Sequence, residues 1–189
     1  MRVLMIIPAY NEEESIFDTV TSILSYRKKV DFDLDYVVIN DGSTDKTKQI
    51  LEDNHFNAVN LVMNLGIGGA VQTGYKYALE HDYDVAVQFD GDGQHDIESL
   101  SDLLEPIRKN EADLVIGSRF VGDVKSEFQT TFMRRFGISV ISNLIKWTTG
   151  QRVLDTTSRY RLADKAVIKQ FAKRYPIKYP EPETIVHIL

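Results

Sequence analysis

Asp90-Gly91-Asp92 sets two carboxylates one residue apart, with a glycine on each side of the second. Carboxylates at that spacing can turn onto one divalent cation, and Gln94 can add a neutral oxygen. Magnesium takes about six oxygens and commonly keeps phosphate oxygens among them. A cation held here would work as a Lewis acid and neutralise a leaving diphosphate. A lone Asp-x-Asp is more often a solvated acidic turn, so its place in the chain decides its meaning. Here it follows directly on the apolar run Val85–Phe89, which reads as a buried strand. A calcium-loop reading fails, because that loop needs Gly at its sixth position and Glu at its twelfth, where this chain has His95 and Ser101.

Other candidates carry alternatives. Asp41, in Asn40-Asp41-Gly42-Ser43, can accept a hydrogen bond from a base or ribose. Equally, Asp41 or Ser43 can cap the helix that follows. Gly66-Ile67-Gly68-Gly69-Ala70 invites a dinucleotide-binding interpretation, but it follows the third strand and lacks the full fingerprint and its ribose acid. A turn needing positive φ, or close packing of helix on strand, accounts for it more simply. Arg135 and Ser139 lie four apart, on one face of a predicted helix, so both can reach one anion; equally, they can be a surface arginine near a small packing residue.

The elements that must position these groups alternate regularly. Strands are predicted at Val3–Ile7, Tyr36–Ile39, Ala58–Val62, Val85–Phe89 and Asp113–Ile116. Helices are predicted after the acidic cluster Glu12-Glu13-Glu14, from the Asp41–Thr44 turn to about Asn54, near Ala70–Glu80, and over Ile97–Lys109. Short β-branched runs separated by helices imply right-handed βαβ crossovers and an α/β fold with a mostly parallel sheet. Every strand then ends in polar or glycine-rich residues, from Ala9-Tyr10-Asn11-Glu12 to Gly117-Ser118-Arg119. Ligands of open parallel sheets bind beyond the carboxyl ends of the strands. One polar end would mean little; five on one edge make a site.

Beyond Arg119 the pattern changes. Phe132, Phe136, Val140, Leu144 and Trp147 recur at helical spacing. A short strand near Ser158–Leu162 and a helix from Asp164 to about Lys173 follow. Pro176, Pro180 and Pro182 break the chain, and Glu183–Leu189 begins a helix of roughly two turns. That abrupt stop suggests a natural C-terminus lying further on.

With 189 residues the chain is expected to form one domain. It has no cysteine, which excludes disulfides, thiolate zinc sites and a cysteine nucleophile and suits a cytoplasmic setting. No run of 18 apolar residues reads as a transmembrane helix. The net charge of -6 hides a division. Acids outnumber bases heavily over residues 1–118, and the excess reverses over 119–178. The acidic part suits a divalent cation, the basic part phosphates or an anionic membrane surface. Arg134, Arg135 and Lys146 beside aromatics suit peripheral contact at the inner face of a membrane, or else that helix packs on the sheet. No nucleic-acid partner is expected.

Ile7-Pro8-Ala9-Tyr10-Asn11-Glu12, Asn40-Asp41-Gly42-Ser43-Thr44-Asp45 and Asp90-Gly91-Asp92-Gly93-Gln94-His95 together resemble the family 2 glycosyltransferases. The chain most resembles the branch holding dolichol- and polyprenyl-phosphate sugar transferases and bacterial cell-surface polysaccharide transferases. The resemblance implies a GT-A fold, a Rossmann-like sheet flanked by helices, with a nucleotide-sugar half over about 1–118 and an acceptor half over about 119–189. It implies that Pro8, Tyr10, Glu12 and Asp41 line the nucleotide pocket. Asp90, Asp92 and Gln94 are implied to hold Mg²⁺ or Mn²⁺ with the donor diphosphate, and Arg119 to face phosphate. Arg135 and Ser139 match a pair that meets donor or acceptor phosphate, and Asp155 an acceptor-loop acid. Glu183 matches a general base on an acceptor hydroxyl; with a phosphate acceptor it would be structural. Two positions depart from the family pattern: Asn40 stands where Asp is frequent, and Arg159 where Gly is frequent.

The function so implied is inverting transfer of a sugar from a nucleotide-diphosphate donor to a polyprenyl-phosphate or cell-surface glycan acceptor. Nucleotidyl transfer on a similar sheet would need a basic, glycine-rich loop after the first strand, and Tyr10-Asn11-Glu12-Glu13-Glu14 would repel a triphosphate. A non-catalytic nucleotide-sugar binding module is the other alternative.

Overall fold

A computed structural model of the chain describes residues 1–90, 97–117 and 160–176. Six strands form one sheet in the order β3-β2-β1-β4-β6-β5. They are β1 (Arg2–Ala9), β2 (Asp33–Asn40), β3 (Ala58–Asn60), β4 (Val85–Gln88), β5 (Leu114–Ile116) and β6 (Arg161–Asp164). The helices are α1 (Ile16–Tyr26), α2 (Thr47–Asp53), α3 (Gly66–Glu80), α4 (Leu100–Arg108) and α5 (Lys165–Lys173), with a 3-10 turn at Ile97–Ser99.

Strand β1 lies between β2 and β4 and pairs with both in parallel, Met5 standing opposite Tyr36 on one side and Val87 on the other. Its run from Val3 to Ile7 is fully buried, because helices cover both faces of the sheet. Alternation divides those side chains between two cores. Val3, Met5 and Ile7 join Val20, Ile23 and Leu104 on the α1/α4 face. Leu4 and Ile6 join Val71, Tyr75, Ile168 and Phe171 on the α3/α5 face. Pro8 stands beyond the last residue paired with β4, at Ile6, so its missing N–H leaves that ladder intact.

The expected α/β architecture and its first five strands are present. The late strand expected near Ser158–Leu162 is described over Arg161–Asp164, and it inserts antiparallel between β4 and β5. Alternation alone does not reveal such an insertion, since a four-residue strand reads the same in either direction. Helix α3 begins at Gly66, four residues before the predicted start. Gly66 takes φ +77, and a Cβ on Gly69 would lie 2.5 Å from that of Leu65. The glycines therefore serve the turn and close packing. Among the described residues no helix is long and apolar enough to cross a membrane.

Candidate active site at the carboxyl edge of the sheet

The sheet order has a switch point at β1. Chain order runs from β1 outward to β2 and β3, then crosses to β4 on the other side of β1. A crevice opens where successive crossovers depart to opposite sides, and ligands of open α/β sheets bind there. The sequence candidates Pro8, Tyr10, Glu12, Asp41 and Asp90 all lie on this edge. Asp41 follows β2 and is 3% exposed; Asp90 follows β4 and is 8% exposed. Between them, Pro8 is buried in β1 and Tyr10 stands 47% exposed just past it.

The Asp41 carboxylate is held in place. Its Oδ1 accepts from Leu65 N at 2.7 Å, and its own N–H donates to Ala9 O at 2.8 Å. It does not cap its own helix, as one sequence alternative allowed. Gly42 makes the turn tight with φ +70, and a Cβ on it would lie 2.8 Å from the backbone of Met63 and Asn64. The β3–α3 loop thus sits directly on the Asp41–Gly42 turn, on the side where a residue larger than glycine would not fit.

Hydrogen bonds stitch the loops after β1 and β2 together. Asn11 N donates to Ser43 Oγ at 3.0 Å, and Asn11 Oδ1 accepts from Thr44 N at 2.8 Å. Glu12 N donates to Thr47 Oγ1 at 2.8 Å, and Glu13 N to Asp45 Oδ2 at 3.1 Å. In return, Lys46 N donates to Glu13 Oε2 at 2.9 Å. Glu12 is half-buried, and its carboxylate accepts from the Ser15 hydroxyl at 2.6 Å at the entry to α1. Asn11 adopts φ +57, a conformation asparagine tolerates better than most residues. Asp45 sits at the centre of this seam. Desolvation pushes its carboxyl upward, but hydrogen bonds from Thr47 and from the Glu13 and Asp45 backbones outweigh that and hold it below the usual range.

Residues to which the sequence assigned no role of their own complete the edge. Asn40 is 2% exposed and donates through Nδ2 to Asn60 Oδ1 at 2.7 Å, while its Oδ1 accepts from Ser43 N at 3.2 Å. Gln88 closes β4 opposite Arg161 of β6, both 1% exposed, and accepts from the Tyr175 hydroxyl at 3.2 Å. Buried polar side chains at the ends of adjacent strands were the available signal; the Gln88 within an apolar run carried it most clearly.

Asp92, Gln94, Arg119, Arg135, Ser139, Asp155, Arg159 and Glu183 lie outside the described residues, as does the predicted helix around Phe132–Trp147. Among the described residues no three His, Cys, Asp or Glu side chains gather in a way that would hold a metal ion. The Asp90 carboxylate at this edge is a hard oxygen group, of the kind that suits Mg²⁺ or Mn²⁺ better than a soft metal.

A family model described as Glycosyl transferase family 2 matches residues 5–174. The chain is 32% identical, over 92% of its length, to the UDP-N-acetylglucosamine–dolichyl-phosphate N-acetylglucosaminyltransferase of Methanococcus voltae, and spans 75% of that protein. It is 42% identical, over 64% of its length, to the undecaprenyl-phosphate mannosyltransferase of Micrococcus luteus, and spans 49% of it. Among solved structures, it resembles glucosyl-3-phosphoglycerate synthase from Mycobacterium tuberculosis in complex with Mn²⁺, uridine-diphosphate-glucose and phosphoglyceric acid. There the TM-score is 0.62 and the identity 20%, over 88% of this chain and 57% of that one. At that identity the likeness concerns the fold, and the fold it shares is GT-A. With the family model spanning from within the first strand to the end of α5, the chain belongs to glycosyltransferase family 2.

Proposed function

We propose that this chain transfers a sugar from a nucleotide-diphosphate sugar to a polyprenyl-phosphate acceptor or a cell-surface glycan, with inversion at the anomeric carbon and dependence on Mg²⁺ or Mn²⁺. The observation that carries the proposal is the pair of buried carboxylates, Asp41 and Asp90, that flank the end of β1 at the switch point. The names of the relatives, which act on dolichyl and undecaprenyl phosphates, support the acceptor class.

The donor half comprises about residues 1–118, where Pro8, Tyr10, Glu12 and Asp41 form the nucleotide pocket. Asp41 keeps one oxygen on Leu65 N, and its other oxygen serves as acceptor for the base or ribose. Tyr10, half exposed at the lip, offers an aromatic face to the base. Asp90, Asp92 and Gln94 would hold the cation. When bound, Mg²⁺ or Mn²⁺ supplies positive charge against the departing diphosphate. Arg119, with Arg135 and Ser139, faces the phosphates and adds to the same neutralisation.

The acceptor oxygen attacks the anomeric carbon in line. The new bond is oxygen to anomeric carbon; the bond from that carbon to the β-phosphate oxygen breaks, and its electron pair leaves with the nucleoside diphosphate. A lipid-phosphate oxygen is already anionic, so no proton has to move. For a hydroxyl acceptor, Glu183 takes the proton as general base. The protein's chief contribution is alignment of the two substrates. Residues 119–189 form the acceptor half, and the segment around Phe132–Trp147 makes peripheral contact with the inner face of the membrane.

The test is transfer of labelled sugar from a panel of nucleotide sugars to a short polyprenyl phosphate, with Mn²⁺ or chelator. Asp92→Ala is expected to abolish transfer and Mn²⁺-dependent nucleotide binding together. Undiminished turnover by that variant in chelator overturns the proposal.

A further inference from the structure

We infer that Asn40 is a positioning residue for the donor nucleotide, working with Asn60 as a matched amide pair; this rests on the carboxyl edge being a nucleotide-sugar site. Strand β2 ends with neighbours whose side chains hold different loops. Asp41 reaches Leu65 N at 2.7 Å, whereas Asn40 reaches Asn60 and Ser43. Asn40 is 2% exposed, and a buried amide must satisfy both its donor and its acceptor end. Ser43 N can only donate, so the atom facing it is the Asn40 oxygen. The Asn40 NH₂ then faces Asn60, its register partner on β3, at 2.7 Å.

The line continues outward. Ser43 Oγ accepts from Asn11 N at 3.0 Å, and Asn11 Oδ1 accepts from Thr44 N at 2.8 Å. One buried side chain therefore ties the end of β3 to the turn after β2, and Ser43 and Thr44 tie that turn through Asn11 to the loop after β1. Tyr10 and Asp41, the two walls of the proposed base pocket, stand on the elements so joined. Asn40 sets the gap between them without touching the nucleotide, so its loss raises the KM for donor and leaves kcat largely in place.

The pair has its own logic. Asn60 is exposed, so its amide can rotate. A carboxylate at position 40 still accepts from Ser43 N, and Asn60 can turn its NH₂ to the second oxygen. One amide in the pair is enough; two carboxylates leave no donor and oppose each other.

Four variants of the full chain test this: N40A, N40D, N60D and N40D/N60D. Binding of UDP and of GDP, each with Mn²⁺, is measured by calorimetry, donor KM and kcat by transfer, and exchange of the Ser43 and Asn11 amides by nitrogen-15 NMR without ligand. N40D and N60D are each expected within about threefold of the parent affinity, and N40A and the double variant to lose about tenfold through KM. Ser43 exchange should quicken in those two, while Val37 and Val38 in mid-strand keep their protection. The inference is overturned if the double variant shows only the product of its single effects, or if N40D behaves as N40A. Should the parent bind neither nucleotide, the proposed function fails on its own. The exchange data then still decide the pair, and unchanged Ser43 exchange in N40A and the double variant overturns it.

Discussion

Asp45 shows how much a single side chain on this edge holds. Its two oxygens take N–H groups from different segments, Thr47 at the start of α2 at 2.9 Å and Glu13 in the loop after β1 at 3.1 Å. Because its carboxyl sits below the usual range, the folded state binds that proton less readily than the unfolded chain. Its contribution to stability is therefore complete above the unfolded value and is lost as pH falls through the depressed one. Melting curves from about pH 7 down to about pH 3 should show this as a shallower acid decline in D45N than in the parent. A parallel decline in both proteins would remove Asp45 from the seam. The sequence made Asp41 and Asp90 legible as candidates, because acids directly after apolar strands are visible in one dimension. It did not reveal that Asp41 binds Leu65 N or that Asn40 binds Asn60. Those partners lie in another element, and no local preference encodes them.

Helix α3 makes the corresponding point one level up. Its pattern predicted a helix over most of its length, yet what seats it is Gly74. A Cβ there would overlap the Ile6 side chain, with Ile6 Cγ1 at 2.9 Å. Alanine is the better helix former by about 1 kcal/mol, but overpacking against a central strand costs about 1–3 kcal/mol. G74A is therefore expected to lower the melting temperature, and I6A, which opens a cavity, to lower it further. In the I6A background G74A should be neutral or stabilising, since its methyl fills part of the space. Equal effects of G74A in both backgrounds would show that Ile6 is not what Gly74 accommodates. The helices were readable from their period, and the parallel strands as short apolar runs between them. The antiparallel β6 was not, because direction depends on a partner rather than on spacing.

At the scale of the whole molecule, β6 and α5 come last among the described elements yet complete both cores. Leu162 and Tyr160 join the α1/α4 side, and Ala163, Ile168 and Phe171 the α3/α5 side. Large apolar side chains contribute about 1.5–3 kcal/mol each on burial, so losing several rivals a domain's entire stability of about 5–15 kcal/mol. A chain ended after residue 159 is expected to lose its cooperative thermal transition, and a sharp unfolding curve from that fragment would contradict this. The same strand has a further consequence. Ile116 and Arg161 stand opposite each other, and Gly117 N donates to Tyr160 O at 2.8 Å. Residues 117 and 160, far apart in sequence, are thus held side by side at the end of the β5–β6 pair. A clasp of that kind is shared property: loosening the contact between Gly117 and Tyr160 slackens the ends of β5 and β6 together.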